Sequence, residues 1–197
     1  IEEKVSNYWP EYAQNGKENT LVRHFMGHTA GLPGFGEQLT LDQYYDWDSV
    51  IQVLGRQEPW YEPGSICAYH AVTQGYLVGE LVRRISGLSL GSFFRENVAK
   101  RVEADFHIGL DPVEFDRTAE ILEGGPMEMP EGMEIPDFYQ GRVDGTPELS
   151  QEVWNSDGWR QAESPAVNGH GNARGVVRAQ TAVANGGSAF CCKLLSQ

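Results

Sequence analysis

The sequence predicts a mainly α (α+β), helix-rich chain, and three observations carry that expectation. Apolar residues recur three and four positions apart in several stretches, alternating strand patterns are few, and glycine or proline follows the apolar-periodic runs. With 40% apolar, 22% charged and 11% aromatic residues, the composition is that of a globular protein, which excludes collagen, coiled coil and long disorder. The 197 residues show no internal repeat and read as a single helix-rich region, 1–197.

The elements follow in order. Asn19 or Thr20 can cap a helix carrying Leu21, Val22, Phe25 and Met26, ended by Gly31 and Pro33. Residues 31–36, rich in glycine, then form a turn. A second helix is expected after Asp48, with Val50, Ile51 and Leu54 on one face, and Pro63 and Gly64 break the chain beyond it. The strongest helical pattern runs from Ala71 to Ser86, with Val78, Leu81, Val82 and Ile85 as its apolar stripe and Gly87 as its stop. Ser89 can cap the next helix through Leu90, Phe93, Phe94 and Val98, and Phe106 to Leu110 leaves as a short extended run. Residues 124–147 hold Pro126, Pro130, Pro136 and Pro147 among several glycines, which predicts a long, lid-like loop. A last helix starts at Asn172, uses Val176, Val177, Ala179, Ala182 and Val183, and stops at Gly186 and Gly187.

Charge narrows the partners. Acidic residues outnumber basic ones by 28 to 15, giving a formal charge of −13 and a pI near 4.7. Such a surface repels phosphate backbones and anionic lipid headgroups, so neither nucleic acid nor membrane is expected as a partner. No run approaches the roughly 20 apolar residues of a membrane span, and Ile1-Glu2-Glu3-Lys4 lacks the features of a secretory signal, so a cytoplasmic location is expected. Cys67, Cys191 and Cys192 are odd in number and two are vicinal, which favours reduced thiols. A first residue other than Met, and a last segment without an obvious finish, read as a piece of something longer.

Candidate chemistry is sparse. His24 and His28 stand four apart, as two metal ligands on a helix would, but the glutamate of a zinc-protease motif is missing, so no metal is expected. They read as one histidine near the helix start and another capping its end. Ser156-Asp157-Gly158 reads as a turn. Tyr69 is more informative, because it precedes the strongest helix directly. Its backbone would be fixed on one side and its ring free on the other, which suits a positioned proton acceptor; a packed aromatic is the alternative.

Leu21 to Pro33 resembles the LLSHTSGLP region of the serine β-lactamase-related superfamily, which includes class C β-lactamases, family VIII carboxylesterases and penicillin-binding-protein-like hydrolases. The resemblance continues through Glu62 to Ser65, Tyr69 to Glu80, Ala104 to Leu110 and Asn168 to Gly175, in order and across nearly the whole chain. It implies acyl transfer, in which a serine from Ser-x-x-Lys attacks a carbonyl while lysine and tyrosine manage its proton. Tyr69 is similar by position to the tyrosine of the family's Tyr-x-Asn element, and is the one candidate catalytic residue. Ala71 in place of Asn resembles the esterase branch. No serine is followed three positions later by lysine.

The resemblance therefore implies the helical portion of a serine β-lactamase-like fold, with most of the companion α/β sheet domain absent. The expected function is that of a truncated esterase-type serine hydrolase acting on small esters or lactams, without a cofactor, and inactive alone. The alternative is a non-catalytic binding module. A helical layer without its sheet leaves apolar surface, so self-association or domain swapping is expected. His28, His70 and His170 fall in matched blocks and are expected to be hydrogen-bonded structural imidazoles.

Overall fold

A buried aromatic and aliphatic core organises the chain, and the computed structural model describes it for residues 1–125 and 136–196. The expected loop at 124–147 thus lies partly outside the described residues. The N-terminal segment lays Val5, Trp9 and Tyr12 into the core. Lys17 is buried beside them, donating to the Gln57 carbonyl with its ammonium 5.1 Å from the Tyr12 ring centre.

Helix α1 (Val22–Met26) is shorter than expected and buries Phe25. Neither Asn19 nor Thr20 caps it; it follows Leu21, whose N–H donates to Nδ1 of His24, and it stops at Gly27. Helix α2 (Leu41–Tyr45) was not anticipated, although Thr40 and Gln43 form the reciprocal capping box that marks such a start. Helix α3 (Trp47–Arg56) begins before Asp48, because Asp46 caps it through the Ser49 N–H. Its apolar face holds Val50, Ile51 and Leu54 as expected.

Helix α4 (Thr73–Ser86) ends at Gly87, whose φ of 74° supplies the left-handed stop. Its buried face is displaced from the expected stripe. Tyr76, Leu77, Gly79, Glu80 and Leu81 face inward, Val78 and Val82 are half-buried, and Ile85 is exposed. The reason is α3: an added Cβ at Gly79 would stand 2.5 Å from Cη2 of Trp47, so the helices meet where α4 has no side chain. Trp47 Nε1 donates to Glu80, and Arg83 and Arg84 donate to the same carboxylate.

Ser89 caps α5 (Leu90–Phe94), as expected, and a wide π-type turn at Arg95–Ala99 carries the rod into α6 (Lys100–Val102). Strand β1 (Phe106–Ile108) meets the extended expectation there. Helices α7 (Gln151–Trp154) and α8 (Asp157–Gln161) follow; Ser156 is the N-cap of α8 through the Trp159 N–H, so its tripeptide opens a helix and is not merely a turn. Strand β2 (Gly169–Gly171) pairs antiparallel with β1, placing His107 opposite His170. Helix α9 (Ala173–Ala184), capped by Asn172, buries Gly175 and Ala182 and leaves its valines outside; β3 (Ser188–Ala189) and β4 (Cys192–Lys193) close a second small pair. Among the described residues the fold is thus helix-rich with two small antiparallel pairs, and no helix is long and apolar enough to cross a membrane.

Candidate functional site

The loop from Gln57 to Val72 brings Tyr69 to the start of α4, and the segment after α1 holds that loop from below. Trp60 N–H donates to Gly31 O at 2.7 Å, Gly64 N–H to Thr29 O at 2.7 Å, and Ala68 N–H to His28 O at 3.1 Å. Gly31 has a φ of 77°, and a Cβ there would stand 2.7 Å from Cβ of Pro59, so only glycine lets the two segments approach. Pro and Gly at 63–64 read correctly as a break, and the break is what allows the pairing.

His70 is buried and fully engaged. Its Nε2 accepts the Leu32 N–H at 3.1 Å, and Nδ1 stands 2.6 Å from the Ala68 carbonyl. The backbone N–H at one nitrogen and the carbonyl at the other define a neutral ring with its proton on Nδ1. Burial lowers its pKa from 6.5 to about 4. Thr73 adds a 2.5 Å hydrogen bond from its hydroxyl to Leu32 O, and Gln74 reaches the Phe25 carbonyl at 3.1 Å. The first turn of α4 is therefore bolted to α1 and to the segment after it.

Tyr69 stands outside this bolted layer, with 70% of its surface open to solvent. Tyr69 is therefore not the packed aromatic of the alternative expectation. Its ring centre lies 5.1 Å from that of His28. His28 does end α1, as expected: it takes the left-handed position after Gly27, where the Thr29 N–H closes onto the His24 carbonyl at 2.9 Å, and its Nδ1 also accepts the His70 N–H at 3.1 Å, turning the ring toward the tyrosine loop. His24 does serve the helix start, so the two histidines are engaged at different places. On the far side of α4's first turn, an added Cβ at Gly75 would stand 2.6 Å from the Ala166 nitrogen, which brings the 165–167 segment, with partly exposed Val167, against the same helix end.

The described part of the Pro/Gly-rich segment is docked here too. Phe138 packs 5.0 Å from Tyr61 and Tyr139 packs 5.4 Å from Trp60, ring centre to ring centre. Gly145 N–H donates to Phe35 O, Leu39 N–H donates to Gly145 O, and Asp144 accepts the Phe35 N–H. A free lid is not what residues 136–147 form; they are strapped to the 35–39 loop.

A separate cleft of about 350 Å³ opens beside β1 and β2, lined by Asp105, His107, Glu114, Arg117, Arg160 and His170. Its charges largely answer one another: Arg117 pairs with both Asp105 and Glu114, and His107 Nε2 lies 3.1 Å from Asp105. The buried Nδ1 of His170 has no hydrogen-bond partner, and burial lowers the pKa of this ring. Tyr69 is not among its walls. Reading the sequence singled out Tyr69 and left the roles of His28 and His70 open; the backbone groups they bind leave no mark in residue spacing.

Known proteins resemble this chain throughout. The family described as Beta-lactamase matches residues 1–189. Esterase/beta-lactamase LipL of Mycobacterium tuberculosis (strain ATCC 25618 / H37Rv) is 31% identical, over 100% of this chain and 47% of that protein. A family VIII carboxylesterase crystal structure superposes with a TM-score of 0.87 at 37% identity, covering 99% of this chain and 51% of that one. A penicillin-binding protein homolog from Caulobacter crescentus gives 0.85 at 33% identity, with 99% and 51% covered. The chain spans about half the length of the relatives it matches.

Proposed function

This chain belongs to the beta-lactamase family, and from that footing we propose that it supplies the tyrosine-bearing helical half of an esterase-type serine hydrolase, with Tyr69 as the proton-handling group. The observation that carries the reading is the exposed phenol on a backbone held at both sides, at the position matching the family's Tyr-x-Asn element. Similarity to an esterase/beta-lactamase and a carboxylesterase supports esters over other acyl compounds, and Ala71 in the third position of the motif points the same way.

The chemistry is acyl transfer. A serine hydroxyl is a poor nucleophile until a neighbour takes its proton, and a phenolate is a competent acceptor once a nearby ammonium favours it. Neither the serine nor the lysine of a Ser-x-x-Lys pair occurs in these 197 residues, so the chain alone is inert in this reading. Small esters, or lactams turned over more slowly, are the proposed substrates, and no cofactor takes part.

Two assays test it. The 197-residue chain by itself should show no turnover of a short-chain aryl ester. Joined to the Ser-x-x-Lys-bearing half of a family relative, it should gain turnover, which Tyr69→Phe reduces by roughly 10²–10⁴-fold. Turnover by the lone chain would overturn the inertness, and an unimpaired phenylalanine variant would overturn the role of Tyr69. A reconstituted half-pair that binds ester without cleaving it would favour the non-catalytic module.

A further inference from the structure

His28 has a φ of 56°, one of few non-glycine residues in the left-handed region among those described. That conformation costs on the order of 1 kcal/mol for a residue with a Cβ, and here it closes α1, since the Thr29 N–H donates to the His24 carbonyl at 2.9 Å across it. The residue so placed makes two further hydrogen bonds. The His28 carbonyl accepts the N–H of Ala68 at 3.1 Å, and His28 Nδ1 accepts the N–H of His70 at 3.1 Å. The two donors flank Tyr69 in the chain, and the ring between them lies 5.1 Å from the phenol ring at 55°. One residue thus grips the backbone before and after Tyr69 and also faces its side chain.

From this clasp we infer that His28 is a positioning residue for Tyr69: it fixes the direction in which the phenol leaves the α4 N-terminus, through a neutral ring whose Nδ1 lone pair is committed to the His70 N–H. The role in catalysis rests on the reading of Tyr69 given above, whereas the clasp itself does not. The tautomer follows from the geometry, because a nitrogen that accepts a backbone N–H carries no proton, so in the neutral ring the proton sits on Nε2. His70 has the opposite tautomer, with its proton on Nδ1 toward Ala68 O. Two adjacent imidazoles of opposite tautomer, 5.8 Å apart, therefore frame one exposed tyrosine.

Substitutions separate the parts of the clasp. His28→Asn keeps tolerance of the left-handed backbone and places an Oδ1 acceptor where Nδ1 stands, while His28→Gly keeps the backbone and removes the acceptor. In the 197-residue chain, hydrogen exchange of the His70 amide should rise roughly tenfold in the glycine variant and return toward the parent rate in the asparagine variant. The Tyr69 ring resonance, assigned by its loss in Tyr69→Phe, should shift in the glycine variant. Unchanged exchange and an unchanged ring resonance in His28→Gly overturn the inference. Should that variant not fold, nitrogen-15 shifts of the parent histidines decide instead: a proton on Nδ1 of His28 overturns the clasp, and its absence there supports it. In the joined, ester-cleaving protein, His28→Gly should lower kcat with KM held and His28→Asn should restore it. A clasp that behaves as expected while Tyr69→Phe keeps full turnover would defeat the catalytic reading and leave the positioning role standing.

Discussion

His70 shows how a single buried ring sets a condition on the whole fold. Its nitrogens meet one donor and one acceptor, so only the neutral form fits, and burial holds its pKa at about 4 against 6.5 in the unfolded chain. Between those values the unfolded state binds a proton that the folded state refuses. Stability from this group is therefore complete above pH 6.5 and is lost as pH falls toward 4, by about 3 kcal/mol in all. Urea unfolding midpoints at pH 7 and pH 4.5 should differ accordingly, and the pH dependence should flatten in His70→Gln, whose side chain keeps an acceptor toward Leu32 but cannot titrate. An equal slope in both proteins would contradict it. At this scale the sequence was half legible. Tyr69 could be found because it precedes a strongly periodic helix within a matched block. The clasp could not, because it depends on a left-handed histidine 41 positions earlier in the chain, and nothing in a side-chain pattern announces a backbone angle.

Between elements, the junction of α3 and α4 carries the clearest expectations. Gly79→Ala would drive a methyl group against Trp47 where 2.5 Å is available, and should cost about 1–3 kcal/mol, seen as a lower melting temperature without loss of helix content. Glu80 is wholly buried; desolvation alone would raise its pKa, but the hydrogen bonds from Arg83, Trp47 and Arg84 outweigh that and hold the carboxyl below its ordinary value. Removing it as Glu80→Ala leaves the Trp47 N–H without its partner, while the partly exposed guanidiniums recover water. A loss of about 3 kcal/mol is expected, the low end for a broken buried pair, and denaturant titration measures it. The apolar stripe read from the sequence missed this face because a glycine and a glutamate count as gaps in a hydrophobic pattern. Here the gap admits a tryptophan and the glutamate is the anchor. Helix ends were better marked where caps were present, as at Ser89, Asn172 and Gly87, and worse at α2, whose capping box at Thr40 and Gln43 went unread.

Taken whole, the molecule buries one side of its helical layer and leaves another apolar. Val177 and Val183 on α9 are 62% and 65% exposed, and Phe190, against the Arg178 guanidinium, and Leu195 also reach solvent. Surface of that kind is costly in water, so the 197-residue chain should self-associate as its concentration rises, through pairing of copies or exchange of segments. Sedimentation velocity should show the larger species, and Val177→Lys combined with Val183→Lys should shift it toward the monomer. A monomer throughout would remove the expectation. The helix-rich class was legible because helical periodicity is local. The short pairs β1–β2 and β3–β4 were not, apart from the extended run at Phe106, because pairs of two or three residues give alternation too little length to register.

The π-type turn at Arg95–Ala99 has a last consequence. It holds one residue more than a regular turn would, so the two ends of the rod are indexed to different rows of neighbours. Deleting Asn97, an exposed residue whose side chain donates to the Phe93 carbonyl, would let the rod wind evenly and swing everything after it by about 100°. Val102, fully enclosed at present, would be rotated toward water, and the hairpin that begins at Phe106 would set off in a new direction. An innocuous-looking surface residue thus acts as the spacer that sets the angular phase of the downstream half.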